Sequence, residues 1–394
     1  MKFLKSFLKW FLIVLLVLNV FIIVTGNTHI YKGLQHTYFK GRSGPSPLEY
    51  TIFENNEIKA AKEQPWALAK SYNKIEITVP ARKALEDYKS LAFLVFKNDS
   101  LLYEEYWDEG AKGSITNSFS MAKTFVSVLV GIAIGEGKIK NVDEPVGDFI
   151  PEYKTGLNAK LTVKHLLTMS SGIDFDEDYV SPFAYPAKAY YGTDIRKLTM
   201  QYKLTEEPGK VFKYLSGNTE LLAFVLEKAT GMSISEYASQ KLWIPIGASK
   251  AAFWSLDDND GVEKAYCCFN SNARDFARIG ALYMHNGNWN GKQIVPEAYV
   301  QKSIIPAQLL DEENKPNNRY GYSWWMLDYK GMHIYYARGI LGQYIVAIPD
   351  KNVLMVRLGQ KRSKEKINDH PKDLYTYIDA ALDLNSKTKL VIYD

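Results

Sequence analysis

Cysteine is nearly absent from this chain. Its 394 residues include two, Cys267 and Cys268, and these are adjacent. Neighbouring cysteines do not form an ordinary structural bridge, and neither has a second Cys or a His at zinc-ligand spacing. The six histidines (His29, His36, His165, His285, His333, His370) are scattered, with no His-x-x-x-His pair. Neither a metal nor any other cofactor is expected. An excess of charge is lacking too: 48 basic against 44 acidic residues leave a net charge of +4. So balanced a surface does not point to nucleic acid as a partner. What is present is an ordinary globular composition, 46% hydrophobic, 13% aromatic and 23% charged. A chain of this length buries a core large enough to do without disulfides.

Residues 1–26 stand apart. Lys2, Lys5 and Lys9 precede the run Trp10–Val24, which Asn19 alone interrupts. With Phe7 and Leu8 the run is long enough to cross a hydrocarbon core of ~30 Å. Two readings compete, a cleaved signal segment and a retained single-pass anchor. Val24-Thr25-Gly26 is a poor cleavage site, which favours the anchor. No cysteine follows the run, so a lipoprotein is excluded. In both readings the lysines keep the amino terminus in the cytoplasm and put residues 27–394 outside, in a cell-membrane-bound or a secreted or periplasmic form.

Residues 27–75 are polar and weakly patterned, with a Gly/Pro-rich stretch at 41–47, and read as an extracytoplasmic linker or extension. The body is expected over 76–394. Leu91–Phe96 and Leu101–Tyr106 flank the turn Lys97-Asn-Asp-Ser100 and form a hairpin. Helical signals dominate from 137 to about 300, including Asn218–Gly231 and Ala273–Tyr283, and strands return over 320–357. Residues 173–203 read as a long irregular excursion, and such loops are often lids. Within it, Asp174-Phe-Asp176-Glu177-Asp178 starts like a calcium loop. Tyr179 and Tyr185 stand where the Gly and the closing Glu belong, so a solvated acidic loop is expected. Strands at both ends with helices between define an α+β fold. An antiparallel sheet flanked by helices carries an inserted all-helical lobe, with the active site between the two.

The chemistry is expected at Ser118–Phe125. Ser118 or Asn117 can cap a helix whose first turn carries Ser120 and Lys123 on one face. The rest of that helix is apolar (Phe119, Met121, Phe125, Val128, Leu129, Ile132), so the lysine should be buried with it. Burial disfavours the charged amine, and a neutral amine beside a hydroxyl can take its proton. An acyl-transfer site also needs a second proton carrier and donors for an oxyanion. Tyr214, two residues before Ser216 and just ahead of a helix, is the candidate carrier. Gly339 near a strand end lets backbone approach a ligand closely, leaving the Ile340 N–H to donate beside that of Ser120.

Ser120-x-x-Lys123, Tyr214-x-Ser216 and Ala337-Arg338-Gly339, in that order, resemble the serine β-lactamase and penicillin-binding-protein superfamily. The match is closest to its class C-like branch of esterases and 6-aminohexanoate-dimer hydrolases. Leu161–Gly172, Asn270–Arg278 and Tyr320–Trp325 add to the resemblance, which covers about residues 80–385. It implies Ser120 as the acylated nucleophile, Lys123 as its base and Tyr214 as acid/base. The N–H groups of Ser120 and Ile340 would form the oxyanion hole, with Asn270, Trp324 and Trp325 facing the substrate. Two departures bear on substrate. Ser216 replaces the usual Asn, and Ala337 stands where a Lys or His normally receives the carboxylate of a β-lactam. Arg338 is adjacent, but on a strand a neighbour points to the opposite face. The resemblance therefore implies a serine hydrolase of a small-molecule or peptide-like ester or amide. A β-lactamase or D-Ala-D-Ala carboxypeptidase, and a penicillin-binding sensor without turnover, are the alternatives.

Overall fold

The protein is described by a computed structural model over residues 2–391. Its backbone is a seven-stranded sheet built from both ends of the chain: β1 (Ala67–Leu68), β2 (Ser90–Lys97), β3 (Ser100–Tyr106), β4 (Trp325–Tyr329), β5 (Met332–Gly339), β6 (Gln343–Ile348) and β7 (Val353–Gly359). The spatial order is β4-β5-β6-β7-β2-β3-β1. Every pairing is antiparallel except the short β1, which runs parallel to β3. The expected union of the 91–106 hairpin with the late strands is made by β7 against β2, with Val356 opposite Leu94.

β2 reads as an unbroken apolar run because helices cover both of its faces. Leu94 and Phe96 join one hydrophobic core and Phe93 and Val95 the other. The helices that frame the sheet and the site are α1 (Lys2–Val24), α2 (His29–His36), α3 (Val79–Asp87), α4 (Ala122–Gly135), α5 (Gly217–Thr230), α6 (Ala273–Met284) and α7 (Lys372–Val391). α3 and α7 cover one face of the sheet and α6 the other. α4 lies beyond, packed against α5 of the helical lobe. Every residue from Ala122 to Ala133 is buried, which is why α4 is apolar all round rather than on one stripe.

Residues 27–75, read from sequence as a linker or extension, are built into the body. Asn55–Ile58 forms the edge of a second sheet, pairing antiparallel with Ala252–Ser255. That sheet continues through Phe269–Ser271 to Thr116–Asn117, the strand that leads into Ser120. The edge strand, Asn-Asn-Glu-Ile, carries little apolar signal, and only Ile58 is buried. The expected loop at 173–203 contains two short helices, Tyr185–Tyr191 and Ile195–Gln201. Cys267 and Cys268 are bonded to each other within the buried segment before Phe269–Ser271.

Candidate active site

Ser120 sits in a tight 3-10 turn, Phe119–Met121, between the strand Thr116–Asn117 and α4. Phe119 has φ 46°, a left-handed conformation that costs a bulky residue energy and is held by its surroundings. The Phe119 N–H donates to Asn117 Oδ1 at 2.7 Å and its ring is buried. The expected side-chain cap thus comes from Asn117 and serves the 3-10 turn, not the first turn of α4. α4 is pinned further along, where Thr124 Oγ1 donates to Ser323 O at 2.7 Å and Ser127 Oγ to Tyr322 O at 2.8 Å. The stretch Tyr320–Trp325 therefore fixes the helix that carries the lysine.

Lys123 is 1% exposed, and its Nζ donates to Ser120 Oγ at 3.1 Å and to Tyr266 O at 2.8 Å. It lies 5.1 Å from the centroid of the Tyr214 ring and 5.4 Å from that of Tyr266. Lys123 of α4 thus links Ser120, in the turn before that helix, to the ring of Tyr214 on the approach to α5. Tyr214 is half-buried and packs tilted against Trp325, with ring centroids 5.4 Å apart. Arg338 also packs on that indole, its guanidinium 3.5 Å from the ring centroid. Ala337 is fully buried, so no cation stands at that position of β5.

The end of β5 meets the Ser120 turn closely. A Cβ on Gly339 would lie 2.2 Å from Ser118 O, so only glycine fits. Ile340 opens the next 3-10 turn, Ile340–Gly342, and Ser120 is the second residue of its own. Neither N–H has a partner within its turn, as the first donors of any helical turn do not. Ser120 and Ile340 line one cavity of about 330 Å³. Its walls come from α2, residues 43–45 and 179–191, and the pair Tyr266-Cys267.

Other residues expected at the site lie differently. Ser216 does not project free donors: its N–H and Oγ donate to the Glu177 carboxylate at 2.7 and 2.5 Å. Asn270 is fully buried, its amide donating to Phe253 O, Ser255 Oγ and Cys268 O, opposite Asn117 in register. It braces the strand behind Ser120. Trp324 is fully buried between Tyr283 and Tyr335, away from Tyr214, whereas Trp325 touches it.

Two carboxylates were not legible as site residues. Glu177, in the acidic stretch expected to be solvated, accepts from both Ser216 groups and from Tyr179 OH at 2.7 Å. It ties the 173–203 excursion to the Tyr214-x-Ser216 motif. Glu220 is fully buried on α5, and its Oε2 accepts from Ala265 N at 2.9 Å and Tyr266 N at 3.3 Å. Burial pushes its carboxyl well above the usual range, against the pull of those N–H groups. Through this contact it orients the Tyr266 carbonyl that receives Lys123. An acid inside an apolar helix was the only available signal.

A buried lysine on a serine, at the seam of an antiparallel sheet and a helical lobe, defines a serine hydrolase of the penicillin-recognising fold. The comparisons agree. Residues 80–377 match the Beta-lactamase family, and the chain belongs to it. It is 27% identical over 291 residues to the 6-aminohexanoate-dimer hydrolase of Paenarthrobacter ureafaciens, covering 70% of this chain and 73% of that one. A candidate 6-aminohexanoate-dimer hydrolase from Bacillus anthracis superposes with a TM-score of 0.74 at 23% identity, covering 87% of this chain and 93% of that chain. A family VIII carboxylesterase does so with a TM-score of 0.62 at 17% identity, covering 81% and 99%.

Proposed function

We propose that this is a membrane-tethered, extracytoplasmic hydrolase that cleaves an ester or amide through an acyl-enzyme on Ser120. The observation that carries the reading is Lys123, buried, 3.1 Å from Ser120 Oγ and otherwise bonded to a carbonyl. That contact places the amine within reach of the serine proton.

In this reading Lys123 accepts the proton as Ser120 Oγ attacks the carbonyl carbon. The N–H groups of Ser120 and Ile340 receive the developing oxyanion. Tyr214 passes a proton to the leaving group as its bond to the acyl carbon breaks, and then helps a water attack the acyl-enzyme. Glu220 and Glu177 act at one remove, the first through the Tyr266 carbonyl and the second through Ser216. The buried Ala337 gives a β-lactam carboxylate no cation, which favours another ester or amide over antibiotic hydrolysis. The relatives named for a 6-aminohexanoate dimer and for carboxylic esters support that choice. The tether is α1, 23 residues long, apolar and unburied, with three lysines at its amino-terminal end.

The test is hydrolysis of a panel of short acyl esters, amides and one chromogenic cephalosporin by the wild type and Ser120→Ala. Turnover of esters or amides that Ser120→Ala loses is expected. Turnover of the cephalosporin alone, or turnover that survives the substitution, contradicts the reading.

A further inference from the structure

The cavity beside Ser120 is walled by residues that directly follow the apolar helix. Gly26, with φ 69°, ends α1 in a left-handed turn, and Asn27 N–H donates back to Ile22 O at 2.8 Å. Three residues later α2 begins, so the chain cannot move away from the end of α1. It turns alongside: Tyr31 OH donates to Asn19 Oδ1 at 2.7 Å, about one and a half helical turns back from Val24. The only polar side chain inside the apolar run thus has a partner on α2. At its other side α2 packs on Tyr185–Tyr191, and His29 Nε2 donates to Pro182 O at 2.8 Å. Ile30 and Leu34 of α2 line the cavity together with Val180, Pro186, Tyr190, Ser120 and Ile340.

The rim is exposed and apolar. Val180 is 92% exposed, Phe39 80% and Tyr38 66%, and Phe183 is exposed beside them. Val180 and Tyr38 belong to the cavity wall itself. An apolar edge of this kind, rimming an opening and continuous with a membrane-length helix, is what an interfacial surface requires. Aromatic side chains are also favoured at the level of the lipid headgroups.

We propose that the cavity opens onto the membrane surface and that its substrate is an acyl amphiphile drawn from the bilayer, the apolar chain entering between α2 and residues 179–186. This rests on the tethered-hydrolase reading above and names its substrate class. Ser120 Oγ bonds to the acyl carbon, the C–O or C–N bond to the polar group breaks, and the proton taken by Lys123 leaves on that group through Tyr214. Water then adds to the acyl carbon and releases a fatty carboxylic acid, regenerating the Ser120 hydroxyl. The rim acts before any of these steps, by lowering the free energy of the chain as it leaves the lipid.

The experiment uses the full chain in phosphatidylcholine–phosphatidylglycerol vesicles with two substrates, a long-chain acyl ester held in the vesicles and a soluble short-chain ester. The rim variant Phe39→Asp changes one exposed side chain that does not line the cavity. It should lower hydrolysis of the vesicle-held ester by about tenfold, since each buried methylene is a substantial part of membrane affinity. Hydrolysis of the soluble ester should stay within about twofold. Equal loss on both esters, or no loss on either, overturns the inference. In parallel, a phospholipid with a photoreactive acyl chain is crosslinked and the labelled peptides are mapped, a readout that needs no turnover. Label in 29–45 and 179–191 is expected. Label confined to α1 overturns the inference while leaving the tether in place. Label in the cavity with hydrolysis of neither ester overturns the hydrolase reading instead.

Discussion

At the scale of single residues, the roles separate by what each side chain touches. The Tyr214 ring lies 5.1 Å from Lys123 Nζ and is tilted against Trp325, and in the proposed mechanism its hydroxyl carries the proton. Tyr214→Phe keeps the ring contact, so kcat should fall by about 10²–10⁴ with the fold intact, as steady-state kinetics beside circular dichroism will read. Lys123→Ala should cost nearly as much as Ser120→Ala, because groups acting as a unit are not additive. Ala337→Lys restores the missing cation and should raise acylation by a fluorescent β-lactam. An unchanged labelling rate would mean that something other than the absent charge keeps β-lactams out. His370 reports on the core that also holds Tyr336 and Trp325. It is buried with its Nδ1 2.6 Å from Tyr336 OH, and burial lowers its pKa to about 4. The unfolded chain binds that proton near pH 6.5, so its share of stability is full above that pH and is lost as pH falls toward 4. Urea unfolding of His370→Gln against wild type should show a shallower loss between pH 6.5 and 4.

Among elements, the seam between the Ser120 turn and β5 would set the oxyanion geometry in the proposed mechanism. Gly339→Ala forces Ser118 O away from a Cβ otherwise 2.2 Å distant. Stability should drop by ~1–3 kcal/mol, the usual cost of overpacking, and kcat should drop with it. Arg357 supports the same seam from behind. Its buried guanidinium donates to the carbonyls of Leu341 and Gly342, at 3.0 and 2.8 Å, and so holds the turn that Ile340 opens. What was legible here followed from local spacing. Ser120 and Lys123 meet because residues three apart share a helical face, and the 91–106 hairpin meets the late strands through the two largely apolar runs of β2 and β7. Contacts between polar residues far apart in sequence left no such trace. Glu177 lies 39 residues from Ser216, and its stretch reads as a surface loop until the partner is seen. Asn270 and Trp324 carry motif-like surroundings, yet they brace the strand and core behind the site.

For the whole molecule, the segment 27–75 changes the account most. It supplies an edge strand to the second sheet and one wall of the cavity, which polar, weakly patterned residues did not announce. A chain lacking residues 1–26 should remain folded and hydrolyse a soluble ester at close to the full rate. Removing residues 1–58 should instead lower the unfolding midpoint sharply, since Phe53 and Ile58 leave the core with the strand. Equal stability of the two truncations, measured by urea denaturation, would contradict the integration of that segment.

The central claim is that the acyl group passes through Ser120, and trapping it is the most direct measurement. The full chain is mixed with an activated acyl ester, quenched in acid and analysed by intact-mass and peptide mass spectrometry. The account predicts one added acyl group, carried on the peptide containing Ser120, absent in Ser120→Ala and longer-lived in Tyr214→Phe. An adduct on another residue, or hydrolysis at the full rate by Ser120→Ala, would contradict it.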